Sequence, residues 1–307
     1  MKRDLLSIDS LSTHDIDALI SRAIELKKKQ KAGVPHQLLK GKTLGLLFEK
    51  PSTRTRVSFE VGMVQLGGHS LYMSSRDTQL SRKESPEDTA RVLSRYLDGL
   101  VIRTFSQDTL ACYARHASIP VINGLTDLLH PCQILSDLMT IVEKRGDYRH
   151  LNISYVGDGN NVANSWIEAS LKLGFNLRIA CPPGHEPDVK IVARAGAEAP
   201  GRVQFSADPF QAVREADIIN TDTWVSMGQE EGAVRQKREL FQNYQVNSAL
   251  LKAAKKDVLV MHCLPAHRGE EITDEVADGS HAVIFDQAEN RLHMQKAILA
   301  GFLNYTA

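Results

Sequence analysis

Long apolar runs are missing from this 307-residue chain. No stretch approaches the roughly 18 consecutive apolar residues of a membrane span, and VLVMHCLPA (258–266) is among the most apolar. Cysteine is scarce. Cys112, Cys132, Cys181 and Cys263 are scattered, with no C-x-x-C pair, which argues against a disulfide framework or a zinc site and for reduced thiols in a cytoplasmic enzyme. An excess of charge is also absent, because Lys plus Arg and Asp plus Glu both number 37. A dedicated nucleic-acid binder or a polybasic membrane protein is therefore not expected, although a local cationic pocket fits. The N-terminus MKRDLLSIDSLS begins basic, but Asp4 and Asp9 interrupt any signal-peptide apolar region. There is no short-period repeat and no low-complexity linker.

What is present is the balance of an ordinary soluble globular protein, 42% hydrophobic and 24% charged. The length suits about two domains, and a chain of this size fills a core without disulfide or metal. Thr13 opens a helical spacing of Ile16, Leu19, Ile20, Ala23, Ile24 and Leu26. Short apolar runs then alternate with helical stretches. TLGLLF (43–48), HSLYM, GLVIRT (99–104), PVING, LNISYVGD (151–158), LRIAC (177–181), VQFS (203–206), DIINTDT (217–223), DVLVMHC (257–263) and AVIFD (282–286) read as strands. Helical patterns fall at 53–66, 86–97, 107–117, 132–145, 161–173, 208–215 and 288–304. Continuous apolar strands separated by helices imply an α/β fold of parallel sheets flanked by helices on both faces. The polar stretches 74–89, 182–188 and 226–236 read as mobile loops, and a domain boundary is expected near 136.

In open α/β sheets, ligands bind at the carboxyl ends of strands, and four segments pass that filter. In the first, Phe48-Glu49-Lys50-Pro51-Ser52-Thr53-Arg54-Thr55-Arg56 leads from strand into helix. A helix N-terminus with hydroxyls and a guanidinium forms a phosphate cradle; the plainer alternative is a Ser/Thr cap with Arg56 pairing Glu60. It is not a Walker loop, because Gly41-Lys42-Thr43 lacks the upstream glycine and precedes its strand. In the second, Arg103 and His130-Pro131-Cys132-Gln133 end adjacent strands. They suit charge stabilisation on a carbonyl oxygen; taken alone, a surface arginine and a helix start with Pro131 in its first turn is the favoured reading. The third, Gly157-Asp158-Gly159-Asn160-Asn161, lacks the third glycine of a dinucleotide site, and the next strand lacks its acidic residue. Its glycines suit close backbone approach, with Asn160 or Asn161 left to bind a polar ligand. The fourth pairs Asp222-Thr223-Trp224-Val225-Ser226-Met227-Gly228 with His262-Cys263-Leu264-Pro265. Asp222 suits a substrate ammonium. Covalent catalysis by Cys263 is the weaker reading, because adjacent His262 points to the opposite strand face; a metal site from the two fails on the same geometry.

Together FEKPSTRTR, HPCQ, DTWVSMG and HCLPAHRG, in this order and spacing, resemble the aspartate/ornithine carbamoyltransferase family. D-x-x-x-S-M-G with HCLP is similar to its ornithine branch. The resemblance covers nearly the whole chain. It implies two α/β domains, 1–136 for carbamoyl phosphate and 137–288 for ornithine, with a C-terminal helix (289–307) packing back on the first. It implies transfer of a carbamoyl group from carbamoyl phosphate to the side-chain amine of L-ornithine, giving L-citrulline and phosphate in arginine metabolism. Ser52, Thr53, Arg54 and Thr55 match the phosphate-binding turn, and Gln79 matches a residue given by a neighbouring subunit. Arg103, His130 and Gln133 match groups around the carbamoyl oxygen and amide. Asn161, Asp222, Ser226 and Met227 match ornithine-binding positions; Cys263, Leu264 and Arg291 match positions where the substrates meet. Arg103, His130, Asp222 and Cys263 are the catalytic candidates. A cytoplasmic homotrimer with shared active sites is implied, with no metal and no organic cofactor. The rival readings are a relative acting on putrescine or N-acetylornithine, a catalytically silent binding subunit and, less favoured still, a dinucleotide-dependent dehydrogenase.

Overall fold

The computed structural model describes residues 2–74, 84–225 and 231–304, with the backbone alone at 231–234. The chain divides into two compact units, Met1–Met139 with Glu289–Ala307, and Thr140–Ala288.

In the first unit, α1 (Thr13–Lys31) starts at a capping box made by Ser12 and Asp15, which satisfies two orphan helix donors reciprocally. Then β1 (Thr43–Phe48), α2 (Thr53–Gln65), β2 (His69–Ser74), α3 (Pro86–Leu93), β3 (Gly99–Arg103), α4 (Gln107–His116), β4 (Val121–Leu125) and α5 (Pro131–Arg145) follow. The sheet is wholly parallel, in the order β2-β1-β3-β4. β3 is buried along its whole length, as a strand covered on both faces must be. Leu47, Leu100, Ile102, Leu110 and Tyr113 pack into one apolar cluster.

In the second unit come β5 (Asn152–Val156), α6 (Asn161–Leu173), β6 (Asn176–Ala180), α7 (Val189–Glu198), β7 (Val203–Ser206) and α8 (Pro209–Val213). They lead to β8 (Ile218–Thr221), α9 (Glu231–Phe241), α10 (Ser248–Ala253), β9 (Leu259–His262) and α11 (Asp274–Ala277). The sheet is again parallel, β7-β6-β5-β8-β9. Trp224, Phe241 and Tyr244 join Val156, Ile219 and Val260 in its core.

The last helix, α12 (Ile284–Phe302), packs in the first unit from Glu289 onward. Buried Lys27 of α1 donates to Asn290 Oδ1 at 2.7 Å, and Arg291 donates to Gln133 of α5. The expected parallel α/β architecture and the returning C-terminal helix are both present. Among the described residues no helix is long and apolar enough to cross a membrane.

Three expectations need correction. AVIFD (282–286) is not a strand: Ala282 makes an isolated bridge to Val260 and α12 begins at Ile284. The Gln287 N–H already bonds the Val283 carbonyl four residues back; a short apolar run cannot by itself distinguish a strand from a buried helix. The polar stretch 74–89 runs into α3, which opens at Pro86 behind the Ser85 cap as the helical pattern at 86–97 predicts. Likewise 226–236 contains the start of α9.

Candidate active site

Each sheet has one point where the chain leaves a central strand in both directions. In the first it lies between β1 and β3, and in the second between β5 and β8. A crevice outside the carboxyl ends opens at such a switch point. Three of the four sequence segments follow those strands, and His130 and Gln133 follow neighbouring β4.

At the first switch point, Phe48 of β1 pairs with Arg103 of β3 in register, and the Glu49 N–H donates to the Arg103 carbonyl at 2.8 Å. The chain then turns into α2, capped by Ser52, whose Oγ accepts the Thr55 N–H at 3.3 Å. The plain cap is therefore real, as is the Arg56–Glu60 ion pair at 2.9 Å. The cap leaves the other first-turn N–H groups of α2 facing the strand end, where a helix N-terminus favours an anion.

Buried Arg291 reaches this turn from α12. It donates to Thr55 Oγ1 at 3.2 Å and to Gln133 Oε1. Gln133 passes its amide on to Asp137 Oδ1 at 2.8 Å, so its orientation is fixed. Thr55, Arg103, His130, Gln133 and Arg291 are all buried. Burial, followed by the Arg291 and Arg103 cations, holds the His130 imidazole well below its ordinary pKa. His130 is thus neutral near pH 7 and carries one ring N–H. Cys132 lies beside it but is inert: burial pushes its thiol up to about 12, and its Sγ bonds the Asn123 carbonyl at 3.3 Å.

At the second switch point, Val156 pairs with Thr221 and Thr221 with His262. The residues just beyond, Asp222 and Cys263, consequently sit side by side. The Cys263 thiol donates to Asp222 Oδ1 at 2.7 Å. The Thr223 N–H donates to the same oxygen at 2.7 Å, and Asn160 Nδ2 donates to Oδ2 at 2.7 Å. Asp222 is only 7% exposed, yet its donors are a thiol, a backbone amide and a side-chain amide. Among the described residues no Lys or Arg pairs with it. A buried carboxylate normally needs a cation, so this one is arranged to receive one.

His262 faces away from Cys263, as strand alternation requires. Its Nε2–H donates to buried Glu271 at 2.9 Å, and its Nδ1 accepts the Leu264 N–H at 2.8 Å. This pins Leu264 at φ 57, a left-handed conformation that costs a non-glycine residue about 1 kcal/mol. The GDGN turn is tight for a different reason. A Cβ on Gly159 would lie 2.3 Å from the Glu186 carbonyl carbon, so backbone approaches backbone as expected.

The structure therefore gathers Ser52, Thr53, Arg54, Thr55, Arg103, His130, Gln133 and Arg291 in the first unit. It gathers Asn160, Asp222, Cys263 and Leu264 in the second, with Asn161 beside the Asn160 cap as the first residue of α6. Gln79, Ser226 and Met227 lie outside the described residues. The sequence did not point to Tyr155, Glu271 or the His262 hinge. A histidine immediately before the candidate cysteine was the available signal for the last.

Elsewhere, Glu87, Cys112 and His116, and separately His267, Glu270 and Glu271, bring potential metal-ligand atoms within 4.8 Å of one another. The first group is already satisfied in part, with the Cys112 thiol donating to Glu87 at 3.0 Å.

Residues 3–143 match the carbamoyl-P binding domain of aspartate/ornithine carbamoyltransferase, and residues 149–302 match its Asp/Orn binding domain. The chain belongs to the aspartate/ornithine carbamoyltransferase family. Within it, the chain is 59% identical to the ornithine carbamoyltransferase of Syntrophus aciditrophicus, over 97% of this chain and 99% of that one. It is 52% identical to that of Geobacter sulfurreducens, over 99% and 100%. The solved ornithine carbamoyltransferase of Pyrococcus furiosus superposes with TM-score 0.95 at 50% identity, covering 100% of this chain and 98% of that one. The anabolic enzyme of Campylobacter jejuni does so at 0.91 and 40%, covering 99% of each. The first switch-point cluster lies within the stretch that matches the carbamoyl-P binding domain, and the second within the stretch that matches the Asp/Orn binding domain.

Proposed function

We propose that this protein is an ornithine carbamoyltransferase: it transfers the carbamoyl group of carbamoyl phosphate to the side-chain amine of L-ornithine, releasing L-citrulline and phosphate. The observation that carries this is Asp222, a buried carboxylate at a strand end whose three donors are all neutral, which suits a substrate ammonium. The family relatives named ornithine carbamoyltransferase support the same reading.

The roles are those that the family resemblance implies. Domain 1–136 with helix 289–307 takes carbamoyl phosphate, and 137–288 takes ornithine. Ser52, Thr53, Arg54 and Thr55, with Gln79 from a neighbouring subunit, hold the phosphate. Arg103, neutral His130 and Thr55 donate to the carbamoyl oxygen, while Gln133, fixed by Arg291 and Asp137, faces the carbamoyl amide. Asn161, Asp222, Ser226 and Met227 hold ornithine, and Cys263, Leu264 and Arg291 are further carbamoyl-phosphate positions of the family match.

An alkyl ammonium is almost wholly protonated near pH 7, so Asp222 and Cys263 orient the amine and assist its deprotonation. The freed nitrogen lone pair forms the new C–N bond. The ammonium's first proton passes to solvent, and the tetrahedral oxyanion is steadied by Arg103, His130 and Thr55; then the C–O bond to phosphate breaks and phosphate leaves, carrying the second amine proton.

A trimer is supported by an unpartnered apolar stripe. Val57, Val61 and Val64 recur at helical spacing on α2 and are 47%, 36% and 70% exposed, and Leu71 on neighbouring edge strand β2 is also exposed. Such a stripe beside an open sheet edge suits association of subunits. We place the enzyme in the cytoplasm and in arginine biosynthesis.

Thermal shift tests the anion half. Carbamoyl phosphate at about 100 times its Kd should stabilise the protein by about 2.7 kcal/mol, and NAD should not. Stabilisation by NAD without carbamoyl phosphate would overturn the reading.

A further inference from the structure

We propose that Asn160 is a positioning residue for the transfer reaction: it holds the Asp222 carboxylate in register with Cys263, and Tyr155 in turn fixes which way Asn160 faces. The inference rests on the ornithine reading of the second unit, and goes beyond it by assigning work to two side chains that do not touch the substrate.

Asn160 is the N-cap of α6. Its Oδ1 accepts the Val162 N–H at 2.9 Å and the Ala163 N–H at 3.4 Å. The same oxygen accepts the Tyr155 hydroxyl at 3.2 Å. Three donors converge on one oxygen, so the amide cannot flip without presenting its NH2 group to three other donors. The NH2 group is thereby committed to Asp222 Oδ2 at 2.7 Å. That contact leaves Oδ1 to Cys263 and Thr223. The chain Tyr155–Asn160–Asp222–Cys263 thus runs from the β5 core through the start of α6 to the ends of β8 and β9. Burial, then the charge of Asp222, pushes the Tyr155 phenol well above its ordinary pKa, so it stays a neutral donor.

Other charged groups near this chain are occupied elsewhere. Asp158 is paired with Lys237 at 2.6 Å and with His185 at 3.2 Å. His267 Nδ1 lies 3.0 Å from the Thr223 hydroxyl. The Asn160 amide is accordingly the side-chain hydrogen bond that aims the second Asp222 oxygen.

The cap and the positioning role can be separated because Asp and Ser cap helices about as well as Asn. Asn160→Asp keeps the cap but puts a carboxylate oxygen where the amide nitrogen stands. Asn160→Ser keeps the cap and removes the donor without adding charge. Both variants should keep the wild-type melting temperature within a few degrees and bind carbamoyl phosphate unchanged. Asn160→Ser should lower kcat/KM for ornithine on the order of 10- to 100-fold, the scale of one hydrogen bond to a charged group, with Asn160→Asp lower still. Tyr155→Phe should cost less, on the order of several-fold.

The double variant Asn160→Asp with Asp222→Asn should be no worse than Asp222→Asn alone, since groups in direct contact are non-additive. Unchanged ornithine kinetics in both cap-retaining variants, or losses that multiply in the double variant, would overturn the proposal. So would a melting point that collapses in both, which would make Asn160 part of the fold alone. A wild-type protein that makes no citrulline would instead sink the ornithine reading itself, and is seen before any variant is made.

Discussion

Asp222→Asn is the perturbation whose consequence the geometry specifies most closely. The wild-type carboxylate offers Oδ1 to Cys263 and Thr223 and Oδ2 to Asn160, each at 2.7 Å. An asparagine has one acceptor oxygen, so its least costly pose keeps that oxygen on Cys263 and Thr223 and turns its NH2 group against the NH2 of Asn160. That donor–donor contact forfeits about 1–3 kcal/mol, and the lost charge-assisted bond to the ornithine ammonium about 1.5–3 kcal/mol. Together this is about 2.5–6 kcal/mol, or a fall of about 70- to 25,000-fold in kcat/KM for ornithine at 1.36 kcal/mol per decade. Citrulline formation under varied ornithine, at saturating carbamoyl phosphate, measures it. Carbamoyl phosphate binding, which belongs to the first unit, should not move. A kcat/KM within threefold of wild type would refute the assignment of the ammonium to Asp222.

The remaining predictions concern both units. Arg103→Ala should lower kcat by about 100- to 1,000-fold, as loss of an oxyanion donor does; an unchanged kcat in steady-state assay removes Arg103 from that role. Cys263→Ser should alter the ornithine KM and the pH–rate profile more than it abolishes turnover, because the hydroxyl still donates to Asp222. Complete inactivity with normal binding of both substrates would revive a nucleophilic cysteine. Buried Lys296 donates to His36 and Gln65 at 3.1 and 2.8 Å, and desolvation lowers its pKa from 10.5 to about 8. Between those two values the unfolded chain holds a proton that the folded one has lost, so folding stability should rise as pH increases across that window. Denaturant titrations at pH 8 and pH 10 should show this rise in wild type and a smaller one in Lys296→Met; an equal rise in both contradicts it.

Most of the architecture was legible because buried parallel strands write themselves as continuous apolar runs. TLGLLF is β1 to the residue, and 161–173 is α6 to the residue. AVIFD misled because its apolar run belongs to the buried start of α12, where length, and not composition, separates helix from strand. The start of α3 was legible, because 86–97 read as helix and α3 opens at Pro86 behind the Ser85 cap, whereas the polar stretch 226–236 hid the start of α9. The site was legible as segments, since strand ends followed by polar residues mark a switch point. Its internal wiring was not. That Asn160 serves Asp222 depends on register between β5 and β8. Long-range register of that kind leaves no trace in local sequence. The neutral state of His130 is another example: it follows from burial beside two guanidiniums, one of them about 160 positions away in the chain, measured from Arg291 in the sequence.

The account stands most directly on one assay: citrulline formation from carbamoyl phosphate with ornithine, beside parallel reactions with aspartate, putrescine and N-acetylornithine. Turnover with ornithine, and little with the others, is the predicted result, because Asn161, Asp222, Ser226 and Met227 are proposed to hold a free amino acid together. Preferred turnover with another amine would keep the phosphate cradle of α2 and overturn the assignment of the second unit. No turnover with any acceptor, from folded protein that binds carbamoyl phosphate, would contradict the central claim and leave a silent binding subunit.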